Sequence, residues 1–242
     1  MSRTLLFVFA HPDDESHWGS GLALKCHEEG ARTVLVTATR GERGTTGGLC
    51  APEDLARVRE DELREAARIL KFDELRLLAY VDKALPAAPP DQIRRELVDV
   101  IRRERPAIVV TFDPNGITLH IDHLAISRFV TDAIAAAADP RWFPELGAPH
   151  QVARLLWTPE VMPWDEGEFP PRPSVDFLID TTAWWRERAA ALAAHKTQRA
   201  TLDKLYLKRP DCRRMLGFDV LRQAWGPPLL HRPAADVFDG LQ

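Results

Sequence analysis

Two short clusters hold the side chains most capable of chemistry. The first is His11-Pro12-Asp13-Asp14-Glu15, one imidazole and three carboxylates within five residues. The second is His120-Ile121-Asp122-His123. Pro12 fixes a backbone dihedral and tightens the first cluster into a turn. Across that turn His11 and Asp14 can aim at one point, while Asp13 points elsewhere, close enough to act on whatever is bound there. His120 and His123, three apart, share a face if their segment is helical. Two imidazoles and a carboxylate with open coordination positions are the ligand pattern of catalytic zinc. Non-haem iron(II) accepts a similar set. Each residue also has a plainer use. A histidine at a strand end is often simply hydrogen-bonded in the rim of a core, and Asp13, Asp14 or Asp122 could cap the helix that follows it.

The elements around the clusters decide whether they meet. Leu5–Ala10 is a continuous apolar run, which suits a strand buried on both faces of a parallel sheet. Trp18–Glu29 reads as a helix stopped by Gly30, and Thr33–Thr39 as a second strand. Arg40–Pro52, with four glycines, is a loop before a helix over Glu53–Leu70. Leu75–Leu78, a helix over Gln92–Arg105 and Ile108–Phe112 continue the alternation, which implies right-handed crossovers and a mostly parallel sheet. The expected fold is α/β, a Rossmann-like three-layer αβα sandwich. Both clusters then follow strands, at the carboxyl ends where such sheets bind ligands. After a loop over Asp113–Asp122, a helix is expected from His123 to Ala138, strands at Val152–Thr158 and Val175–Ile179, and a loop over Pro159–Pro173. One long helix is expected over Thr182–Tyr206. Lys208–Gln242 shows no clear period, so the expected organisation is one domain over residues 1–207 with 208–242 packed on it as a C-terminal extension.

Composition excludes several classes. The chain has 242 residues with 45% hydrophobic and 28% charged residues, values of a globular protein and not of a disordered, collagen-like or coiled-coil chain. A net charge of −4 with no basic stripe argues against nucleic acid as a partner. No apolar run reaches the roughly 20 residues that span a bilayer. The run before His11 lacks the basic flank and cleavage pattern of a signal peptide. Cys26, Cys50 and Cys212 cannot all pair within one chain and match no zinc-finger spacing. Reduced thiols and a cytoplasmic location are expected. The sequence is compatible with a homo-oligomer. The glycines of residues 41–48 do not spell the dinucleotide fingerprint, so no nucleotide is inferred.

The motifs also resemble those of a known family. Ala10-His11-Pro12-Asp13-Asp14-Glu15 is similar to the signature of the LmbE/PIG-L family of metal-dependent N-deacetylases. His120-Ile121-Asp122-His123 resembles that family's His-Pro-Asp-His motif, with Ile121 in place of proline. Thr39-Arg40-Gly41-Glu42-Arg43-Gly44 resembles its Thr-x-Gly-Glu-x-Gly loop, and Arg59-Glu60-Asp61-Glu62 its Arg-x-x-Glu helix. Ala194-His195-Lys196-Thr197-Gln198 resembles a late Ala-His-x-Ser-Gln segment. The resemblance implies a Rossmann-like fold and hydrolysis of an acetamide, commonly on an amino sugar. It implies His11, Asp14 and His123 as metal ligands, Asp13 as general base and His120 beside the developing oxyanion. On this reading the metal is Zn2+, with Fe2+ or another divalent ion as alternatives, and the partner is a small amino-sugar molecule. Arg40 and Arg59 could bind its hydroxyls or an acidic group. Asp122 could orient a neighbouring imidazole or cap the helix. A family amidase acting on a thiol-sugar S-conjugate, and a non-catalytic metal- or sugar-binding module, are the alternatives.

Overall fold

The computed structural model describes residues 3–159 and 175–241. A seven-stranded sheet runs in the order β3-β2-β1-β4-β5-β7-β6. The strands are β1 (Thr4–Phe9), β2 (Arg32–Thr39), β3 (Glu74–Tyr80), β4 (Ile108–Phe112), β5 (Arg154–Thr158), β6 (Phe177–Asp180) and β7 (Phe218–Trp225). β3, β2, β1, β4 and β5 pair in parallel, and β7 pairs antiparallel with both β5 and β6. Six strands therefore point one way and β7 alone runs against them. β1 and β4 are apolar at nearly every position because both are central and fully buried.

The main helices are α1 (Asp14–His17), α2 (Ser20–Glu28), α3 (Leu55–Ile69), α4 (Pro90–Glu104), α5 (Gly116–Leu119), α6 (Ile121–Ala138), α7 (Trp185–Ala194), α8 (Arg199–Leu202) and α9 (Cys212–Met215). α4 buries Ile93, Leu97, Val98 and Ile101, an i, i+4, i+5, i+8 stripe, and starts with Pro90 in its first turn, where the missing N–H costs nothing. Crossovers toward β2 and β3 leave β1 in one direction, and those toward β5 leave β4 in the other. Right-handed connections then put α2 and α3 on one face and α4 and α6 on the opposite face. Leu24, Ala66, Leu70 and Ala191 join α2, α3 and α7 in one cluster. The direction of winding reverses between β1 and β4, which opens a crevice at their carboxyl ends.

The strands up to β5 and the helices α3, α4 and α6 fall where the apolar periodicity puts them, within a few residues. Three segments differ. The helix expected over Trp18–Glu29 is α2, starting at Ser20, and a short extra turn, α1, precedes it; Gly19 separates the two by turning left-handed at φ 75° against the Phe7 ring, where a Cβ would be 3.1 Å from Cε1. The expected long helix Thr182–Tyr206 is broken at His195 (φ −79°, ψ 68°), because His195 and Thr197 are held by partners from other segments. The aperiodic stretch after Lys208 contains α9 and the strand β7, inside the sheet. β7 reads poorly as a strand because Arg222 and Gln223 carry polar side chains with partners of their own: Arg222 pairs with Asp113 at 2.6 Å, and the Gln223 side-chain amide donates to the Pro227 carbonyl at 2.9 Å. The loop expected over Pro159–Pro173 lies, beyond Pro159, outside the described residues. No helix among the described residues is long and apolar enough to cross a membrane.

Two buried arginines tie the late segments down. Arg188 on α7 bonds Ser20, Thr181, Leu216 and Asp219, and Arg154 on β5 donates to the Val237 and Asp239 carbonyls. Gly21 tests the packing of α2 on the segment after β6. Helix propensity alone favours Gly21→Ala by up to about 1 kcal/mol. The added Cβ would lie 2.5 Å from Thr181 Cβ, so we expect the variant to unfold at lower temperature than the parent, as read by differential scanning calorimetry.

Candidate metal centre

His11 and Asp14 leave the end of β1 through a tight turn. Asp14 Oδ2 accepts the N–H of His11 at 2.8 Å and of Ala10 at 3.2 Å, which anchors this carboxylate to the strand and aims its other oxygen away. His123 sits in the first turn of α6, its ring stacked on Phe112 at 4.0 Å between centroids, and its Nδ1 lies 3.1 Å from the Gly116 carbonyl. The two clusters meet across the crevice. His11 Nδ1 lies 3.2 Å from His123 Nε2, His123 Nε2 lies 3.3 Å from Asp14 Oδ1, and His11 Nδ1 lies 3.6 Å from Asp14 Oδ2. A four-coordinate ion with ligands at about 2.1 Å sets its donors about 3.4 Å apart, close to the His11–His123 and His123–Asp14 Oδ1 spacings, while His11 meets the other Asp14 oxygen. His11, His120 and His123, and His11, Asp82 and Asp122, also bring ligand-type atoms together.

The proton inventory sharpens this fit. The Gly116 carbonyl can only accept, so His123 carries its proton on Nδ1 and presents a lone pair at Nε2. His11 Nε2 lies 3.0 Å from Asp122 and 3.2 Å from Asp82, so its proton belongs there and Nδ1 presents a second lone pair. Two lone pairs facing each other at 3.2 Å repel unless a cation or a proton stands between them. Burial opposes charge on His11, but hydrogen bonds to Asp122, Asp14 and Asp82 overcome it and hold the imidazole pKa well above its ordinary value. Burial likewise opposes charge on Asp14, and the His123 and His11 rings reverse this and hold it well below the usual carboxylate range. For Asp82 burial is again outweighed, chiefly by His11, and its pKa falls to about 2. A pocket with three carboxylates around two imidazoles favours a bound cation, and the donors present fit a divalent metal.

The remaining residues take distinct places. Asp122 is fully buried and accepts the N–H groups of Lys83 at 2.6 Å and Leu85 at 3.1 Å as well as facing His11. It therefore orients the His11 ring and fixes the β3–α4 connection. The cap of α6 is His120, whose Nδ1 accepts the Asp122 N–H at 3.2 Å. With Nδ1 accepting, the His120 proton sits on Nε2. Burial, helped by the neighbouring imidazoles, lowers the His120 pKa, so the ring is a neutral N–H donor. Asp13 is left-handed, at φ 110° and ψ −28°, and its Oδ2 is held by Arg59 at 3.1 Å. Arg59 is buried, and it also donates to the Pro12 carbonyl and, at 3.0 Å, to that of Gly41. Its guanidinium thus works on protein groups. Arg40 lies outside the cluster, on Glu60 at 3.1 Å and the Leu78 carbonyl.

Sequence reasoning missed Asp82 and gave Glu15 no role. Asp82 stands two residues beyond β3, so the strand-end rule that selected the two clusters would also have selected it. Nothing local marks Glu15, which bonds a residue 180 positions away, His195, at 2.7 Å.

Residues 6–134 match the family model described as PIG-L: GlcNAc-PI de-N-acetylase. The chain is 31% identical to the 1D-myo-inositol 2-acetamido-2-deoxy-alpha-D-glucopyranoside deacetylase of Streptomyces griseus, over 99% of this chain and 89% of that one. Among solved structures, a conserved protein from Thermus thermophilus is similar with a TM-score of 0.72 at 28% identity, covering 96% of this chain and 98% of that one. N,N'-diacetylchitobiose deacetylase from Pyrococcus horikoshii shares the fold, with a TM-score of 0.72 at 19% identity over 91% of this chain and 83% of that one. The chain belongs to the PIG-L (LmbE) family. By class it is a deacetylase, a hydrolase of amide carbon–nitrogen bonds.

The charge pattern makes a pH prediction. His11 has its pKa raised on folding above 6.5, so its protonation stabilises the chain fully below that value and the contribution is lost as pH rises through the folded value. Asp14 and Asp82 are depressed, so their contributions hold above the ordinary carboxylate range and fade only as pH falls toward the folded values, about 2 for Asp82. The chelator-treated chain should therefore lose thermal stability as the pH rises above 6.5, and added zinc should restore it by an increment that grows with pH, because proton and cation compete for one place. Melting curves with and without zinc check this. A chelator-treated melting temperature that climbs over that range would contradict it.

Proposed function

We propose that this deacetylase is zinc-dependent and removes the N-acetyl group of an N-acetylglucosamine-type conjugate, releasing acetate. The observation that carries the reading is the donor triangle of His11, Asp14 and His123, with Asp13 next to it in sequence but engaged elsewhere. The relative from Streptomyces griseus, named for an acetamido-glucopyranoside substrate, supports the substrate class. Zinc bound by the triangle would polarise the amide carbonyl and bring the pKa of a water to about 7; iron(II) or another divalent ion could serve the same donors.

The protein's own residues supply the proton transfers. Arg59 holds one oxygen of Asp13, and the side chain is partly open to solvent, 19% exposed. The other oxygen can take the proton of the attacking water and pass it to the leaving nitrogen, which converts a poor leaving amide into a free amine. His120 Nε2–H donates to the oxyanion that develops on the carbonyl oxygen. Its donor is fixed in advance, because the cap to Asp122 N–H has already chosen the tautomer. We assign the chain to the reducing cytoplasm on its cysteine usage, three residues that cannot all pair within one chain.

Asp13→Ala should lower kcat by about 1,000-fold while zinc stays at about one equivalent. His120→Ala should lower it by about 100-fold with zinc retained. Acetate release and plasma emission spectrometry on the purified variants read both. A panel of acetamido sugars, thiol-sugar S-conjugates and simple acetamides identifies the substrate class. Sugar binding without acetate release on any panel member would turn the reading toward a binding module.

A further inference from the structure

A circuit of hydrogen bonds, joined by two short stretches of backbone, runs behind Asp13 and returns to it. The Asp13 N–H donates to Glu15 Oε2 at 3.0 Å. Glu15 Oε1 meets His195 Nε2 at 2.7 Å and accepts from Ser16 Oγ at 2.5 Å. Two residues past His195, Thr197 donates its N–H and hydroxyl to Glu62 at 2.8 and 2.7 Å. Glu62 lies on α3, as does Arg59, and Arg59 closes the circuit on the Asp13 carboxylate. Glu15 and His195 are both fully buried, and Glu15 bonds His195, Ser16 and the Asp13 N–H. Two unfavourable features lie on this circuit. Asp13 has a backbone conformation that L-residues rarely adopt, and His195 Nδ1 is buried without a hydrogen-bond partner among the described residues. Features of this kind persist where the surroundings over-determine them, and they gather at functional sites. The break in the long helix at His195 serves the same circuit, since a continuous helix would withdraw the imidazole and Thr197 from it.

We propose that the buried Glu15–His195 pair is a positioning device for the base: it holds the Asp13 backbone left-handed so that one carboxylate oxygen rests on Arg59 and the other is presented to the substrate water. The proposal rests on the reading of Asp13 as the base and extends it to residues that touch neither substrate nor metal. His195 also lies outside residues 6–134, the part matched by the family model.

A double-mutant cycle in the zinc-loaded enzyme tests it, with acetate release from an N-acetylglucosaminide as the assay. Glu15→Gln fills the same volume but exchanges the charge that binds His195. We expect kcat to fall by about 10-fold, with KM within about twofold and zinc still at about one equivalent. His195→Gln, which leaves Glu15 in place, should move kcat in the same direction. In an Asp13→Ala background, Glu15→Gln should change the residual rate by less than about twofold, since a residue acting through Asp13 has nothing left to position. The same 10-fold loss in that background, a zinc loss that accounts for the effect, or parental kcat in both single variants would overturn the proposal. Undiminished turnover in Asp13→Ala alone would instead remove the base assignment, a result the single variant reports before the cycle is read.

Discussion

Two imidazole lone pairs, on His11 Nδ1 and His123 Nε2, point at each other across 3.2 Å in a buried crevice. Most of the surrounding architecture has the effect of enforcing that unfavourable meeting. The Gly116 carbonyl claims the far-side proton of His123, and the Asp122 and Asp82 carboxylates share that of His11. The Asp14 carboxylate is pinned to the end of β1 by two backbone N–H groups. Something positive must stand between the rings, and the sheet, which reverses its winding between β1 and β4, delivers both rings to that point. A metal ion relieves the repulsion without consuming a proton, which is why such a cluster holds a cation more readily than an equal number of unconstrained side chains.

The same groups serve structure and chemistry together. His120 caps α6 and, by doing so, settles which of its nitrogens carries hydrogen. Asp122 fixes His11 and the connection from β3 to α4. The glycine-rich loop gives Arg59 its space: a Cβ at Gly41 would lie 2.1 Å from the guanidinium, and one at Gly47 would lie 2.8 Å from the Thr197 carbonyl oxygen. The glycines are therefore needed for close approach to two segments of the polar circuit behind Asp13. They are not a phosphate cradle, in keeping with their lack of a dinucleotide spacing.

Much of this was legible in the sequence because it depends on local pattern. Buried parallel strands read as apolar runs, so β1, β2 and β4 stood out, and with them the carboxyl ends where His11, Asp14 and His123 stand. What was hidden depends on contacts between distant positions. The helix break at His195 has no glycine or proline to announce it; the imidazole leaves the helix for Glu15. β7 carries arginine because its partner, Asp113, lies in the loop after β4, far away in the chain. Arg40 and Arg59 looked alike as basic residues near a motif, yet one lies on Glu60 and the other beneath Asp13, a difference set by packing.

The twist of the chain at Asp13 restricts which amino acids can stand there. At a φ of 110°, a side chain branched at Cβ collides with its own backbone, and longer chains gain nothing from the turn, whereas glycine, asparagine and aspartate accept it with least cost. Of those three only aspartate can shuttle hydrogen ions. With Asp13 as the proposed base, the turn leaves this chain little freedom to exchange it for histidine or glutamate, and a change of working acidity has to come through the neighbours of the carboxylate.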